Sequence, residues 1–392
     1  MHKWTDAKLS DSIGRRHLRL FKKHRIILSI TLAVVLVGGV TGGVLMNAQK
    51  KGDAPAQTAV ASSTPDSIAQ VPDQTPVPVP AKPTTPLSGR TFYRDDTREV
   101  TELAAKYKQQ GDEEKARLLE RISSQPGTTW LTGPNTGDPR GNRDITSVTR
   151  TSQEAAAQNT VPVYQLYAIP RRDACAGFSG GGFTNSEDYL KWVDRIIASL
   201  KSDAVIAVEP DAVPHTIQST CLNRQQVEER YKTLAAAVAR LRASPRVLGV
   251  YLDAGHSEWF SDSSKLVEPL RKAGIDQATG VTVNVSNFVA TPDVTKWSQQ
   301  LAKQLGPDKG VLIDTSRNGR GPAPGNITGD ARWCNPSGRG LGKAPTTAVT
   351  DQNIHAYVWL KVPGESDGAC DGNPPAGTFN LPKALELATN AE

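Results

Sequence analysis

Between residues 163 and 361 the chain repeats one pattern: a short apolar run rich in Val and Ile, followed by polar and mostly ionisable residues. The runs are 163–167, 204–208, 247–252, 280–285, 311–313 and 356–361. They lead in turn to Arg172-Asp173, Glu209-Pro210-Asp211, Asp253-Ala254-Gly255-His256, Ser286-Asn287, Asp314 and Pro363-Gly364-Glu365-Ser366-Asp367. Runs of this kind read as strands buried on both faces, as in parallel sheets. The stretches between them carry helical periodicity. Residues 185–199 put Leu190, Val193, Ile196 and Ile197 on one side, with Asn185 or Ser186 placed to cap and acidic residues in the first turn. Residues 225–241 are Ala- and Glu-rich, with apolar Leu234, Val238 and Leu241. Each spacer is long enough for a right-handed crossover helix. Functional groups at the C-terminal end of strand after strand predict an α/β barrel with its working face there. A doubly wound open sheet would gather them at a single crevice.

The N-terminal part follows other rules. Residues 1–25 hold eight Lys or Arg against Asp6 and Asp11, a net charge of +6. The whole chain has 46 basic and 40 acidic residues, so the 38 of each that remain cancel. The basic excess therefore belongs to this tail and implies no nucleic acid partner. Residues 26–46 contain no charge and match the roughly 20 residues that cross a bilayer as a helix. Basic residues ahead of the span predict an uncleaved single-pass membrane anchor with the rest of the chain outside; the alternative is a signal peptide cut near Ala48. Residues 47–88, dominated by Pro, Ala, Thr, Ser and Val, predict a semi-extended linker. Residues 89–392 remain as one domain of about 300 residues, enough for a single large barrel and expected to be monomeric.

All four cysteines lie in that domain, where an extracytoplasmic location favours disulfides. Three pairings are possible, and chain order most simply suggests Cys175–Cys221 and Cys334–Cys370. Each bridge would fasten loops that carry Asp173, Asp211 or Asp367. No His or Cys pair occurs at ligand spacing, so neither metal nor cofactor is expected.

Several carboxylates at the mouth of one barrel, with tryptophans in the loops and no Ser/His nucleophile pair, point to glycosidic bond cleavage. Protonating a glycosidic oxygen needs a carboxylic acid that keeps its proton near neutral pH, which a neighbouring carboxylate or an apolar pocket provides. Asp173 and Asp211 are candidates for such a pair. Trp130, Trp259 and Trp333 have faces suited to pyranose rings, whereas Trp192, Trp297 and Trp359 read as packing.

Seven ordered motifs then carry a specific resemblance. They are Tyr167-Ala-Ile-Pro-Arg-Arg-Asp173, Val208-Glu-Pro-Asp211, Tyr251-Leu-Asp-Ala-Gly-His256, Asn284-Val-Ser-Asn287, Ile313-Asp-Thr-Ser-Arg-Asn-Gly319, Trp333-Cys-Asn-Pro-Ser-Gly338 and Trp359-Leu-Lys-Val-Pro-Gly-Glu-Ser-Asp-Gly368. Over residues 119–388 the chain resembles glycoside hydrolase family six, the inverting β-1,4-glucanases. The resemblance implies a distorted, TIM-like (β/α) barrel of seven parallel strands acting on β-1,4-glucan polysaccharide without a cofactor. It implies that Asp211 is the general acid, and that Asp173, its charge oriented by Arg172, raises the pKa of that acid and lies on the water route to the base function. Asp367 would serve as base or as stabiliser of positive charge on the cleaved sugar. Tyr167 would crowd the distorted sugar and Ser179 would position the attacking water. Trp130 and Trp333 match platforms on the non-reducing side and Trp259 one on the leaving-group side; His256, Asn284, Lys361 and Glu365 match hydroxyl-binding positions.

Other readings stand beside these. Asp253 and Asp314 fit structural acceptors as well as substrate contacts, Arg317 fits a salt-bridge partner, and Lys361 and Glu365 fit a mutual ion pair. Ala174 separates Asp173 from Cys175, which the family pattern joins, so the loop bearing Ser179 is expected to take another shape. Residues 133–159 read as a long polar segment. The short stretch between Asp211 and Tyr251, and the short tail after Asp367, leave little to roof the cleft. The expectation is an open groove in a membrane-anchored endo-β-1,4-glucanase. The alternatives are a non-catalytic glucan-binding envelope protein, a cellobiohydrolase-type exo-enzyme, and a barrel hydrolase for another polysaccharide.

Overall fold

The computed structural model describes residues 85–391, apart from Ala176 and Ser219. The basic tail, the apolar segment 26–46 and the linker up to residue 84 lie outside them. Among the described residues no helix is long and apolar enough to cross a membrane. The packed chain begins earlier than the sequence suggests: Leu87, read as linker, is fully buried. It joins Phe92 and Val161 in one apolar cluster, and Phe92 pairs in parallel with Val161, just ahead of the second strand.

Seven parallel strands lie in space in the order of the sequence: β1 Thr129–Leu131, β2 Val163–Leu166, β3 Ala204–Val208, β4 Val247–Asp253, β5 Gly280–Val283, β6 Gly310–Asp314 and β7 Ile354–Val358. Around them run helices α1 Glu99–Gln109, α2 Glu113–Ser123, α3 Asn142–Ala157, α4 Ser186–Ser199, α5 Pro214–Gln218, α6 Arg224–Ala243, α7 Val267–Lys272, α8 Thr291–Leu305 and α9 Leu381–Thr389. Side chains alternate across the sheet as the pleat requires. On β3, Val205 and Ala207 enter the cluster that fills the barrel, while Ala204, Ile206 and Val208 enter the larger one between strands and helices. The six apolar runs are six of these strands, the last run overshooting β7 by three residues.

The helices form for local reasons. Asn185 caps α4 by accepting from the Asp188 amide at 2.9 Å, and Asn223 with Gln226 makes a capping box at the start of α6. The polar segment 133–159 holds a helix that its pattern concealed. α3 buries Val148, Thr151, Ser152 and Ala155, so its inner stripe is small or hydroxylated, and Thr151 meets the Tyr164 hydroxyl at 2.8 Å.

β7 and β1 share no ladder, so the sheet is curled but open there, and this is the distortion of the barrel. A side chain crosses the gap: the Trp130 indole Nε1 donates to the Leu360 carbonyl at 2.7 Å. Trp130→Phe keeps a ring in β1 and removes that donor. A buried acceptor left unsatisfied costs about 1–3 kcal/mol, so the urea midpoint should fall accordingly with the m-value unchanged. An unchanged midpoint would show that the seam does not depend on this bond.

Candidate active site

Beyond the last residue of each strand the backbone turns sharply, and buried carboxylates catch the amides that leave the ladder. Glu209 accepts from the Ala168 and Ile169 amides at 3.0 and 3.1 Å, tying the loop after β2 to the end of β3. Asp253 accepts from the amides of Asp211 at 2.9 Å and Gly255 at 3.1 Å, and from the Thr282 hydroxyl at 3.2 Å. Asp314 accepts from the amides of Ser286, Ser316 and Lys361 at 3.0, 2.9 and 3.0 Å. Asp253 and Asp314 are thus structural acceptors, one of the two readings their sequence allowed. Asp173, Glu209, Asp211, Asn284 and Ser286, all just beyond strand ends, adopt the left-handed region, at φ between 52° and 67°. Non-glycine residues seldom adopt that conformation, and it concentrates at functional sites.

Asp211 lies half-buried in the cleft wall. Burial first, then the charge of Asp253, then that of Asp173, push its carboxyl well above the ordinary range, against the opposing charge of Arg230. Asp253 itself is pushed up to about 6, chiefly by burial. The neighbour with the larger effect on Asp211 is therefore Asp253, with Asp173 second.

The loop after β2 is held by Arg172. Its guanidinium donates to the carbonyls of Tyr167, Ser179 and Thr132 at 2.6, 2.8 and 2.9 Å and lies over the Tyr167 ring. Arg172 makes no ion pair among the described residues, so it shapes this loop instead of orienting the charge of Asp173 through a direct bond. Asp173 accepts from the Ser179 amide at 2.8 Å and its hydroxyl at 2.9 Å, and that hydroxyl meets the Tyr167 hydroxyl at 3.0 Å. Despite the extra Ala174, the loop brings serine, aspartate and tyrosine together. Cys175–Cys221 fastens this loop to the segment after α5, and Cys334–Cys370 joins the loops after β6 and β7.

The side of the cleft near β7 has the opposite electrostatic character. Burial alone would raise Asp367, but Arg317 and Lys361, with the Asn335 amide, hold it below the ordinary carboxylate range. Arg317 donates to its Oδ2 at 2.8 Å, the two side chains being only 4% and 6% exposed, and Lys361 Nζ stands 3.7 Å from Oδ1. Arg317 is thus the salt-bridge partner its position suggested. Lys361 turns to Asp367 and the Ser366 carbonyl at 3.0 Å, not to Glu365, so the mutual Lys361–Glu365 pair, the alternative reading of these two residues, does not form. Burial raises the Glu365 carboxyl.

A cleft of about 940 Å³ connects these groups. Trp130, Tyr167, Arg172, Asp173, Ser179, Asp211, His256, Trp259, Trp333, Lys361, Glu365 and Asp367 all line it. Asn284 does not. Its amide donates to the Val289 and Asp314 carbonyls at 3.3 and 2.9 Å, and its Oδ1 accepts from the Val289 amide at 3.1 Å, so no polar atom is left for a ligand. Asn287, in the same motif, faces the cleft instead. His215 also lines the cleft; burial lowers both His215 and His256 to about 4, leaving neutral rings beside Trp259. The walls touch at two points the sequence did not suggest. Phe178 meets the Trp333 ring edge-on at 5.7 Å, and Arg332 pairs with Glu258 at 2.8 Å.

Comparison with known proteins agrees with this geometry. The family model described as glycosyl hydrolases family 6 matches residues 87–391. The chain belongs to that family. It is 38% identical over 282 residues to endoglucanase 1 of Streptomyces sp. (strain KSM-9), covering 71% of this chain and 73% of that one. It is 36% identical over 306 residues to endoglucanase A of Cellulomonas fimi, covering 78% of this chain and 62% of the other. The solved structure of an endoglucanase from Mycobacterium tuberculosis, in complex with methyl-cellobiosyl-4-deoxy-4-thio-β-D-cellobioside, superposes with a TM-score of 0.70 at 36% identity over 78% of this chain and 99% of that one. As a family 6 member the protein is a glycoside hydrolase.

The raised proton affinity of Asp211 bears on activity where this carboxyl is the acid its motif suggests, and Asp253 supplies the test. Asp253→Asn retains a carbonyl acceptor for the Asp211 amide but removes the negative charge with the larger effect on Asp211. Asp211 should release its proton more readily, and the alkaline limb of the pH–activity profile should move to lower pH. A limb that stays in place while activity merely scales down would assign Asp253 a structural role alone.

Proposed function

We propose that the protein is an endo-β-1,4-glucanase that hydrolyses its substrate with inversion. The observation that carries this reading is the meeting, in one cleft walled by Trp130, Trp259 and Trp333, of a carboxyl whose proton affinity is raised and a serine–aspartate pair placed to hold water. Water bound at Ser179 attacks the anomeric carbon as Asp211 protonates the departing oxygen. The proton of the water passes along the Ser179 hydroxyl to Asp173, and the bond to the leaving sugar breaks on the opposite face. Asp367 is committed to Arg317 and held ionised, which makes it a weak base and suits it to stabilising positive charge on the sugar. Tyr167 remains a neutral phenol, raised by burial and then by Asp211 and Asp173, and it abuts Trp130 edge-on at 5.2 Å.

Endo action is supported by the naming of the similar Streptomyces and Cellulomonas enzymes and by the nature of the two cross-cleft contacts. A part-exposed ion pair is worth about 0–1 kcal/mol and one aromatic edge contact about 0.5–1.5 kcal/mol. Parting the walls for the interior of a polymer is inexpensive on that scale.

Purified protein should release reducing ends from soluble carboxymethyl cellulose, and Asp211→Ala should lower the rate by about 10²–10⁴-fold. Proton NMR of freshly formed product should show the α-anomer; retained β configuration would overturn the mechanism.

We further propose a single-pass membrane anchor at residues 26–46 with the barrel outside the cell, supported by the uncharged span behind eight basic residues. Full-length protein should sediment with membranes, and protease added to intact cells should free the barrel. Mature protein in the medium beginning near Gln49 would instead mark residues 26–46 as a cleaved signal.

A further inference from the structure

Arg230 stands on the inner face of α6, 4% exposed, yet it takes part in no ion pair among the described residues. Its guanidinium donates to three main-chain carbonyls: Arg171 at 2.7 Å, Pro170 at 3.3 Å and Ala212 at 3.4 Å. Arg171 is two residues ahead of Asp173, and Ala212 directly follows Asp211. One buried side chain therefore spans the two loops that present the acid and the water-holding aspartate. An arginine stays charged inside a protein, and a buried charge without a direct counter-ion is costly unless other charges compensate for it. The charged and titratable groups around Arg230 are Glu209 and Asp211 from the end of β3, Arg171 and Tyr167 from the loop after β2, and His215 on α5. Those acting on Asp211 are Asp253 from the end of β4, Asp173 from the loop after β2, and Arg230.

We propose that Arg230 is a positioning residue for the general acid: it fixes the spacing of the two loops, and its charge offsets Asp253 and Asp173 so that Asp211 still gives up its proton. The inference rests on the reading of Asp211 as the acid. Two neighbouring carboxylates and burial all drive Asp211 toward retaining its proton, and an acid that binds its proton too tightly is a slow donor. Arg230 is the cation that limits this. It acts from behind the wall, since the cleft-lining groups do not include it.

The test is the pH dependence of kcat/KM on a soluble β-1,4-glucan for Arg230→Met and Arg230→Lys, with folding checked by circular dichroism. Removing the charge lets Asp211 hold its proton to higher pH. The alkaline limb of the Met variant should therefore move up by about half to one pH unit, opposite to the shift from Asp253→Asn. The Lys variant keeps the charge but lacks the planar fork that reaches both loops. Its limb should coincide with that of the wild type while kcat falls several-fold. Arg230→Gln, neutral but still an amide donor, replaces the Met variant if that protein does not accumulate. A folded neutral variant whose limb stays at the wild-type position overturns the proposal, as does a Lys variant that shifts with the neutral one. Asp211→Ala separates the two readings: activity surviving in that variant overturns the acid assignment itself, whatever the arginine variants do.

Discussion

A parallel strand that ends at the mouth of a barrel leaves its next amides without ladder partners, and in this protein three buried carboxylates take them. Glu209 joins the ends of β2 and β3, Asp253 joins β3, β4 and β5, and Asp314 joins β5, β6 and β7. Together they stitch six neighbouring strand ends into one rim. Each bond to an ionised acceptor is of the stronger, charge-assisted kind, and two of them hold the left-handed turns at Asp211 and Ser286. The placement of Asp211 is a product of that rim, while Arg172 completes it for the loop of Asp173.

Using carboxylates as fasteners has an electrostatic consequence. The acids that fix the backbone also fill the mouth with negative charge, and the cations that answer it are unevenly placed. Arg317 and Lys361 stand directly on Asp367, while Arg230 faces Asp211 only from behind main-chain carbonyls. Asp367 is thereby held below the ordinary carboxylate range and Asp211 above it, with no difference in side-chain chemistry between the two aspartates. Environment alone separates the two carboxyls, the pattern by which carboxyl groups of one type can be set to different tasks.

Much of this was legible from the amino-acid pattern, and the gaps have physical causes. Runs of Val and Ile marked six strands because burial on both faces leaves no polar alternation, whereas three-residue β1 was too short to register. The cleft aspartates and tryptophans were found because their motifs occur in order. Asn284 was misread because a strand-end polar residue in a left-handed turn can point inward to the backbone, and sequence does not report that turn. Arg230 was passed over among the charged residues of α6, although it sits four residues before Leu234 on the stripe that continues to Val238 and Leu241. An arginine on an apolar face was the available signal. α3 escaped because Thr and Ser can line a buried stripe when their hydroxyls bond within the helix or to a neighbour.

Trp130 is at once a wall of the cleft and the bolt of the barrel, since its ring faces the cavity and its nitrogen closes the seam to Leu360. The surface of the cleft and the architecture of the barrel are therefore not separable at this position. No other natural side chain offers the same flat face together with an N–H at the same reach, so any change of this ring also removes the bond across the seam. Trp333 and Trp259 stand on loops beyond strand ends and lack this double duty at the seam, although Trp259 packs on the core and on Phe260.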